Sequence, residues 1–150
     1  MSESITVSLA EASDSEAPRE ARARAAAEII RNARRYRWVG IYDVGDDQIS
    51  IVAYTGSEPP AHPSFGIAQC LSGEAVRTRA TVVSNDVASD PRYLTAFEST
   101  GSEAIVPILG AESGMVIGTL DAESDRIGAF SPEDILFLED CAAVLRPLYD

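Results

Sequence analysis

Three carboxylates meet if two stretches late in the chain pair as strands. Over 114–122 and its exit, Ile117, Thr119, Asp121 and Glu123 fall on one face of an extended chain, with Val116, Leu120 and Ala122 on the other. Glu103 stands near the start of 102–109, on the face of Ile105 and Pro107. Gly110-Ala111-Glu112-Ser113 joins the two stretches. In an antiparallel hairpin the start of one strand lies beside the end of the other, so Glu103 falls close to Asp121 and Glu123. Acids this close repel one another unless something positive sits between them or their pKa values rise.

An earlier stretch supplies aromatic surface. Over 37–44, read as the central strand, Trp38, Gly40 and Tyr42 point to one side, while Val39, Ile41 and Val44 point mostly to the other. The glycine leaves a hollow between two large rings. Placed opposite the acid cluster, these rings and carboxylates suit a ligand bearing an ammonium group. The acids would hold the charge and the indole face would add roughly 0.5–2 kcal/mol of cation–π attraction. Spacing alone leaves a second reading open, in which the rings are plain packing and Asp121 and Glu123 are solvated acids ahead of the loop Ser124-Asp125-Arg126.

The elements that position these residues follow from periodicity and punctuation. Residues 1–17, rich in Ser, Ala and Glu, read as a mobile acidic tail. A helix is expected over 18–35, with Ala26, Ile29, Ile30 and Ala33 as its apolar stripe. Seven of the twelve arginines lie between Arg19 and Arg37 and read as a solvated helix face. After 37–44 come the turn Gly45-Asp46-Asp47, a strand over 48–55, a proline-rich loop, and a short extended piece near Phe65. Ser72 is the expected N-cap of a brief helix to about Arg79, and 81–83 reads as a strand. The stretch 85–101 reads as polar loop with one helical turn around 93–97. Ser131, Pro132, Glu133 and Asp134 open a final helix running to about Leu145, before Pro147. That helix is apolar on two sides, which predicts two partners: the sheet, and either the first helix or another subunit. Helix, hairpin, small elements, hairpin, helix is the order of an α+β domain over 18–150 with a mainly antiparallel sheet.

Composition narrows the function. At 150 residues the chain can bury roughly 70% of its unfolded surface around one core. A net charge of −12 with no lysine makes nucleic acid and anionic lipid poor partners. Cys70, Cys141 and His62 are too few and too scattered for a structural zinc site. No stretch approaches the ~20 apolar residues that span a bilayer, and the N-terminus lacks a signal-peptide pattern. The expectation is a cytoplasmic protein with reduced thiols, no cofactor and no metal.

Several motifs resemble a GAF domain: Gly73-Glu74-Ala75-Val76-Arg77-Thr78, Asn85-Asp86-Val87, Asp90-Pro91-Arg92-Tyr93-Leu94, Ser102-Glu103-Ala104-Ile105-Val106-Pro107, Ile117-Gly118-Thr119-Leu120-Asp121 and Phe130-Ser131-Pro132-Glu133-Asp134. The match runs over about 20–147. It implies a six-stranded antiparallel sheet flanked by N- and C-terminal helices, a pocket on one side and frequent dimerisation. Trp38-Val39-Gly40-Ile41-Tyr42 is most similar to the free methionine-(R)-sulfoxide reductases. That resemblance implies a substrate site lined by Trp38, Tyr42, Glu103, Asp121 and Glu123.

The chemistry carries over less well. Sulfoxide reduction needs a thiolate to attack sulfur and a second thiol to resolve the product. The family's main catalytic cysteine falls at Ala96. Its partner falls at Ser72 or at Cys70 depending on the direction of counting, and the third at His62 or Pro60. The cysteine–histidine pair of bilin-binding GAF domains and the lysine-containing cyclic-nucleotide signature are both missing.

The reading is therefore a sensor-like GAF domain that binds an amine-bearing, amino acid-like metabolite without transforming it, with a possible homodimer through the terminal helices. The alternatives are a divergent free methionine sulfoxide reductase using Cys70 and an external thiol, and a structural module with a vestigial pocket. Cys70 lies near a helix start, which can activate a thiol, or is a loop thiol with no role.

Overall fold

The computed structural model describes every residue except Gln69, Thr95, Ala96 and Glu98. Helix α1 spans Glu3–Asp14 and α2 spans Arg19–Arg34. Strands β1 (Trp38–Val44), β2 (Gln48–Gly56) and β3 (Ser64–Gly66) follow, then helix α3 (Leu71–Thr78) and strand β4 (Val82–Ser84). Strands β5 (Ser102–Leu109) and β6 (Val116–Ser124) lead to helix α4 (Pro132–Val144). The six strands form one sheet in the order β3-β2-β1-β6-β5-β4, every neighbouring pair antiparallel. This is the expected α+β architecture, with β1 and β6 at its centre.

The sheet separates two apolar layers. Val39, Ile41, Leu120 and Ala122 face the main core, where Ala23, Ala26, Ala27 and Ile30 of α2 and Phe137, Leu138 and Cys141 of α4 pack. On the other face, Trp38, Tyr42, Ile49 and Phe97 form a second cluster, while Ile105 joins Leu71, Ala75 and Val82 under α3. Val44 belongs with Trp38 and Tyr42 rather than with Val39, as strict alternation along the strand requires.

The expected mobile tail at 1–17 is instead largely helical. Ser2 caps α1 by accepting the Ile5 amide at 3.3 Å, and Leu9 and Ser13 are completely buried. Ile5, Leu9 and Ala12 recur at helical spacing, so one stripe of an otherwise polar helix packs on α2 and α4. The expected partners of α4 are the sheet and either the helix over 18–35 or another subunit; α1, which that expectation does not include, also packs on α4.

The arginine-rich helix is also less solvated than expected. Arg19 forms a bidentate pair with Asp43 at 2.8 and 2.5 Å, Arg22 donates to the Ser13 carbonyl, Arg31 to Thr55, and Arg34 to Asp134. These bonds tie α2 to α1, the sheet and α4. Among the described residues no helix is long and apolar enough to cross a membrane.

At α3 the cap is Cys70, two residues before the expected Ser72, and its Sγ accepts the Gly73 amide at 3.3 Å. Ser131 is the N-cap of α4 as expected, and Asp134, expected there for its charge, also caps it reciprocally. The helical turn expected around 93–97 includes Thr95 and Ala96, which lie outside the described residues.

Candidate functional site

Register brings the predicted acids together. In the β5–β6 pair Glu103 stands opposite Glu123, and Ile105 opposite Asp121. In the β1–β6 pair Trp38 stands opposite Glu123, and Gly40 opposite Asp121. Trp38, Glu123 and Glu103 thus lie in one row across three adjacent strands, with Gly40 and Asp121 in the next row. One carboxylate oxygen from each of Glu103, Asp121 and Glu123 lies within 4.8 Å of the others. Only 6%, 5% and 1% of these residues' surfaces are exposed, so they are not solvated strand-end acids.

Such burial disfavours ionisation. Burial pushes Glu103 well above the usual carboxylate range, and the charges of Asp121 and Glu123 push it further. Asp121 is raised by burial and then by Glu123. Both carboxyls are therefore raised, and their closeness opposes ionising the two together. Asp121 Oδ1 has no hydrogen-bond partner. Glu123 is raised by burial, against which Thr100 and Tyr93 act: Thr100 Oγ1 lies 2.9 Å and Tyr93 Oη 3.2 Å from Glu123 Oε1.

Thr100 is held in turn by Arg37, whose Nη2 lies 3.3 Å from its hydroxyl. Arg37 also donates to Ser99 and covers the Phe97 ring at 4.7 Å. Its guanidinium therefore braces the segment before β5 through Nη1 and Nη2, while Nε is buried without a partner and the charge is felt at Glu123. The sequence reading missed both residues, since neither Thr100 nor Arg37 carries a spacing signal linking it to Glu123.

The hollow expected at Gly40 is filled. A Cβ on Gly40 would lie 2.6 Å from Trp38 Cζ3 and 3.1 Å from a Tyr42 ring carbon, because the indole folds over the glycine. Trp38 stacks on Tyr54 with centroids 6.1 Å apart, tilts against Phe97 at 5.6 Å, and donates from Nε1 to the Glu58 carbonyl at 3.1 Å.

The cavity lies beside this stack. Tyr42, Phe65, His62, Cys70, Glu103 and Asp121 are among the side chains lining it. Trp38 and Glu123 stand behind that lining, Trp38 as support for Tyr42 and Glu123 as neighbour of Glu103 and Asp121. His62 is exposed in the proline-rich loop and lies at the cavity wall. The free volume is about 30 Å³, room for one or two waters. Tyr42, an edge-on neighbour of Phe65 at 5.8 Å, is kept neutral by burial and by the acids beside it.

The two thiols differ in setting. Cys70 is buried at the head of α3 and lines the cavity. Cys141 lies in the main core, and burial pushes its thiol up to about 12. Ala96, the position matching the family's main catalytic cysteine, is outside the described residues and carries no thiol.

Residues 17–145 match the GAF domain family. The fold is similar to that of a type II free methionine-R-sulfoxide reductase from Thermoplasma acidophilum, 33% identical over 93% of this chain and 94% of that one, with a TM-score of 0.79. It is also similar to the free methionine-R-sulfoxide reductase of Neisseria meningitidis solved with its substrate, 26% identical over 97% of this chain and 86% of that one, TM-score 0.85. A Zymomonas mobilis protein is 26% identical over 111 residues, which are 74% of this chain and 65% of that protein. The chain thus spans just under two thirds of that relative's length.

Proposed function

The chain belongs to the GAF domain family, and on that premise we propose that it binds a small amine-bearing, amino acid-like metabolite without transforming it. Asp121 and Glu103 would receive the ammonium group, with Glu123 behind them. Tyr42 and Phe65 would form the aromatic wall, and Trp38 would hold Tyr42 in place. The observation that carries this reading is Asp121 Oδ1, a buried carboxylate oxygen without a partner beside a cavity. An ammonium group would satisfy it and relieve repulsion among three acids. Pro60, His62 and Leu94 also border the cavity.

Absence of turnover is supported by the alanine at position 96 and by the burial of Cys141 in the core. The placement of Cys70 on the cavity wall favours a second reading. Its thiolate would attack a sulfoxide sulfur; the oxygen would pass to cysteine, leaving a sulfenic acid and the thioether. Two equivalents of an external thiol would then restore Cys70, releasing water and the external disulfide.

Thermal-shift measurements with methionine, methionine sulfoxide and related amino acids test the first reading. A shift lost in Glu103→Gln and in Asp121→Asn supports it, and no shift with any amine removes it. Thiol-dependent consumption of free methionine sulfoxide, abolished by Cys70→Ser, would replace it with the enzymatic reading.

A further inference from the structure

We propose that the groove between β5 and α4, on the face of the sheet away from the acid cluster, binds a small monocarboxylate with a short apolar body. The inference is independent of the amine reading, which uses the other face.

The groove exists because β4 is short. Val82 pairs with Ile105 and the β4 pairing goes no further, so 106–109 of β5 keep one edge without a strand. The residue before β4 reaches α4 instead, where Thr81 Oγ1 donates to Glu139 Oε2 at 2.6 Å. Val106, Ile108 and Ala142, all members of the main core, give the groove its apolar lining, and its free volume is about 240 Å³. Liquid water takes about 30 Å³ per molecule, so the space suits a small organic acid and not only an ion. Pro107 also lines it and has no amide hydrogen to offer a further strand. The open edge is therefore a poor template for a peptide, which leaves the groove to a small molecule.

The charges select an acid. The chain holds twice as many acids as arginines, 24 against 12, and Arg19, Arg24, Arg34 and Arg92 are paired with them. Arg79 and Arg146 both line the groove, and neither has an ion-pair partner among the described residues. Arg79 Nη2 lies 3.9 Å from Met115 Sδ, a weak acceptor. Arg146 is half-buried, and its Nε is buried without a hydrogen-bond partner. Part of its guanidinium is thus already desolvated, which strengthens the pair that an incoming carboxylate makes with its outer nitrogens. Glu139 is the other charged group on the groove, with one oxygen held by Thr81. Two arginines against one glutamate leave a single net positive charge, which matches one carboxylate. Inorganic phosphate would bring a second negative charge against Glu139.

The test uses the full ¹⁵N-labelled chain and sodium butyrate as the probe. Amide spectra during the titration should show saturable shifts at 79–81 and 142–146 and none at Asp121. 1-Butanol, a similar body without charge, and inorganic phosphate should bind at least about tenfold more weakly, since one hydrogen bond to a charged group is worth about that factor or more. Arg79→Gln and Arg146→Gln should each weaken butyrate about tenfold. Arg146→Lys, which keeps the charge and loses the planar fork, should weaken it too, while Arg24→Gln on α2 should leave it unchanged. Glu139→Gln should raise phosphate affinity more than butyrate affinity. The dispersion of each variant's spectrum establishes that it is folded. No saturable shift in the wild-type chain, shifts that persist unchanged in folded Arg79→Gln and Arg146→Gln, or butanol binding as tightly as butyrate overturns the site. Phosphate binding as tightly as butyrate, or no selective gain for phosphate in Glu139→Gln, overturns the assignment of a monocarboxylate.

Discussion

Gly40 stands directly opposite Asp121 in the β1–β6 pair, and the ring of Trp38 occupies the space where a side chain on Gly40 would be. The centre of the acid face is therefore shaped by a residue with no side chain. Gly40→Ala forces the indole away from Tyr54 and Phe97 or bends β1. Overpacking of this kind typically costs about 1–3 kcal/mol. Urea unfolding should show that loss, accompanied by a change in the single tryptophan's emission. Unchanged stability and emission would mean that the indole does not rest on the glycine.

Asp121→Asn should stabilise the ligand-free protein. It keeps the shape of the side chain while removing one of three buried acids whose ionisation burial opposes. Sites built for a ligand commonly carry such a cost, and relieving it returns about 0.5–2 kcal/mol. Calorimetric melting in chelator-treated buffer should give a higher Tm than wild type, together with loss of any amino-acid shift. A lower Tm would mean that Asp121 is structural.

Much of this arrangement is legible in the sequence because strand periodicity is simple. Asp121 and Glu123 must share a face, and an antiparallel hairpin must bring Glu103 to them. Ser131, Pro132 and Asp134 likewise mark the start of α4 by cap chemistry alone. Gly40 misled because a strand glycine signals either a void or a close approach, and only the position of the neighbouring ring decides between them. His62 and Phe65 reach the cavity from a stretch without clean periodicity, so their faces could not be assigned. The polar composition of 1–17 hid a helix whose apolar stripe is only a few residues wide.

Leu9→Ala measures whether α1 belongs to the folded unit. Leu9 is fully buried between helices, and leucine-to-alanine changes at such sites cost about 2–5 kcal/mol. Urea denaturation should report a loss in that range. A change within experimental error would show that α1 does not dock in solution.

Asp134 predicts an acid-sensitive anchor. Burial alone would raise its pKa, but its hydrogen bonds outweigh burial and hold the carboxylate below its ordinary value. Oδ1 receives the Tyr36 hydroxyl and Arg34 Nε, each at 2.7 Å. Oδ2 receives the Ser131 hydroxyl at 2.8 Å and the Ser131 amide at 3.1 Å. A carboxylate whose folded pKa is depressed contributes its full stability above the unfolded value, near pH 4, and loses it as the pH falls through the folded value. The stability gap between wild type and Asp134→Asn should therefore be large at pH 7, still present at pH 5, and smaller at pH 3. Ser131→Ala removes the reciprocal cap and should cost about 1 kcal/mol at pH 7. Chemical denaturation of both variants at the three pH values checks these outcomes, and a gap for Asp134→Asn that widens toward pH 3 would reverse the assigned sign.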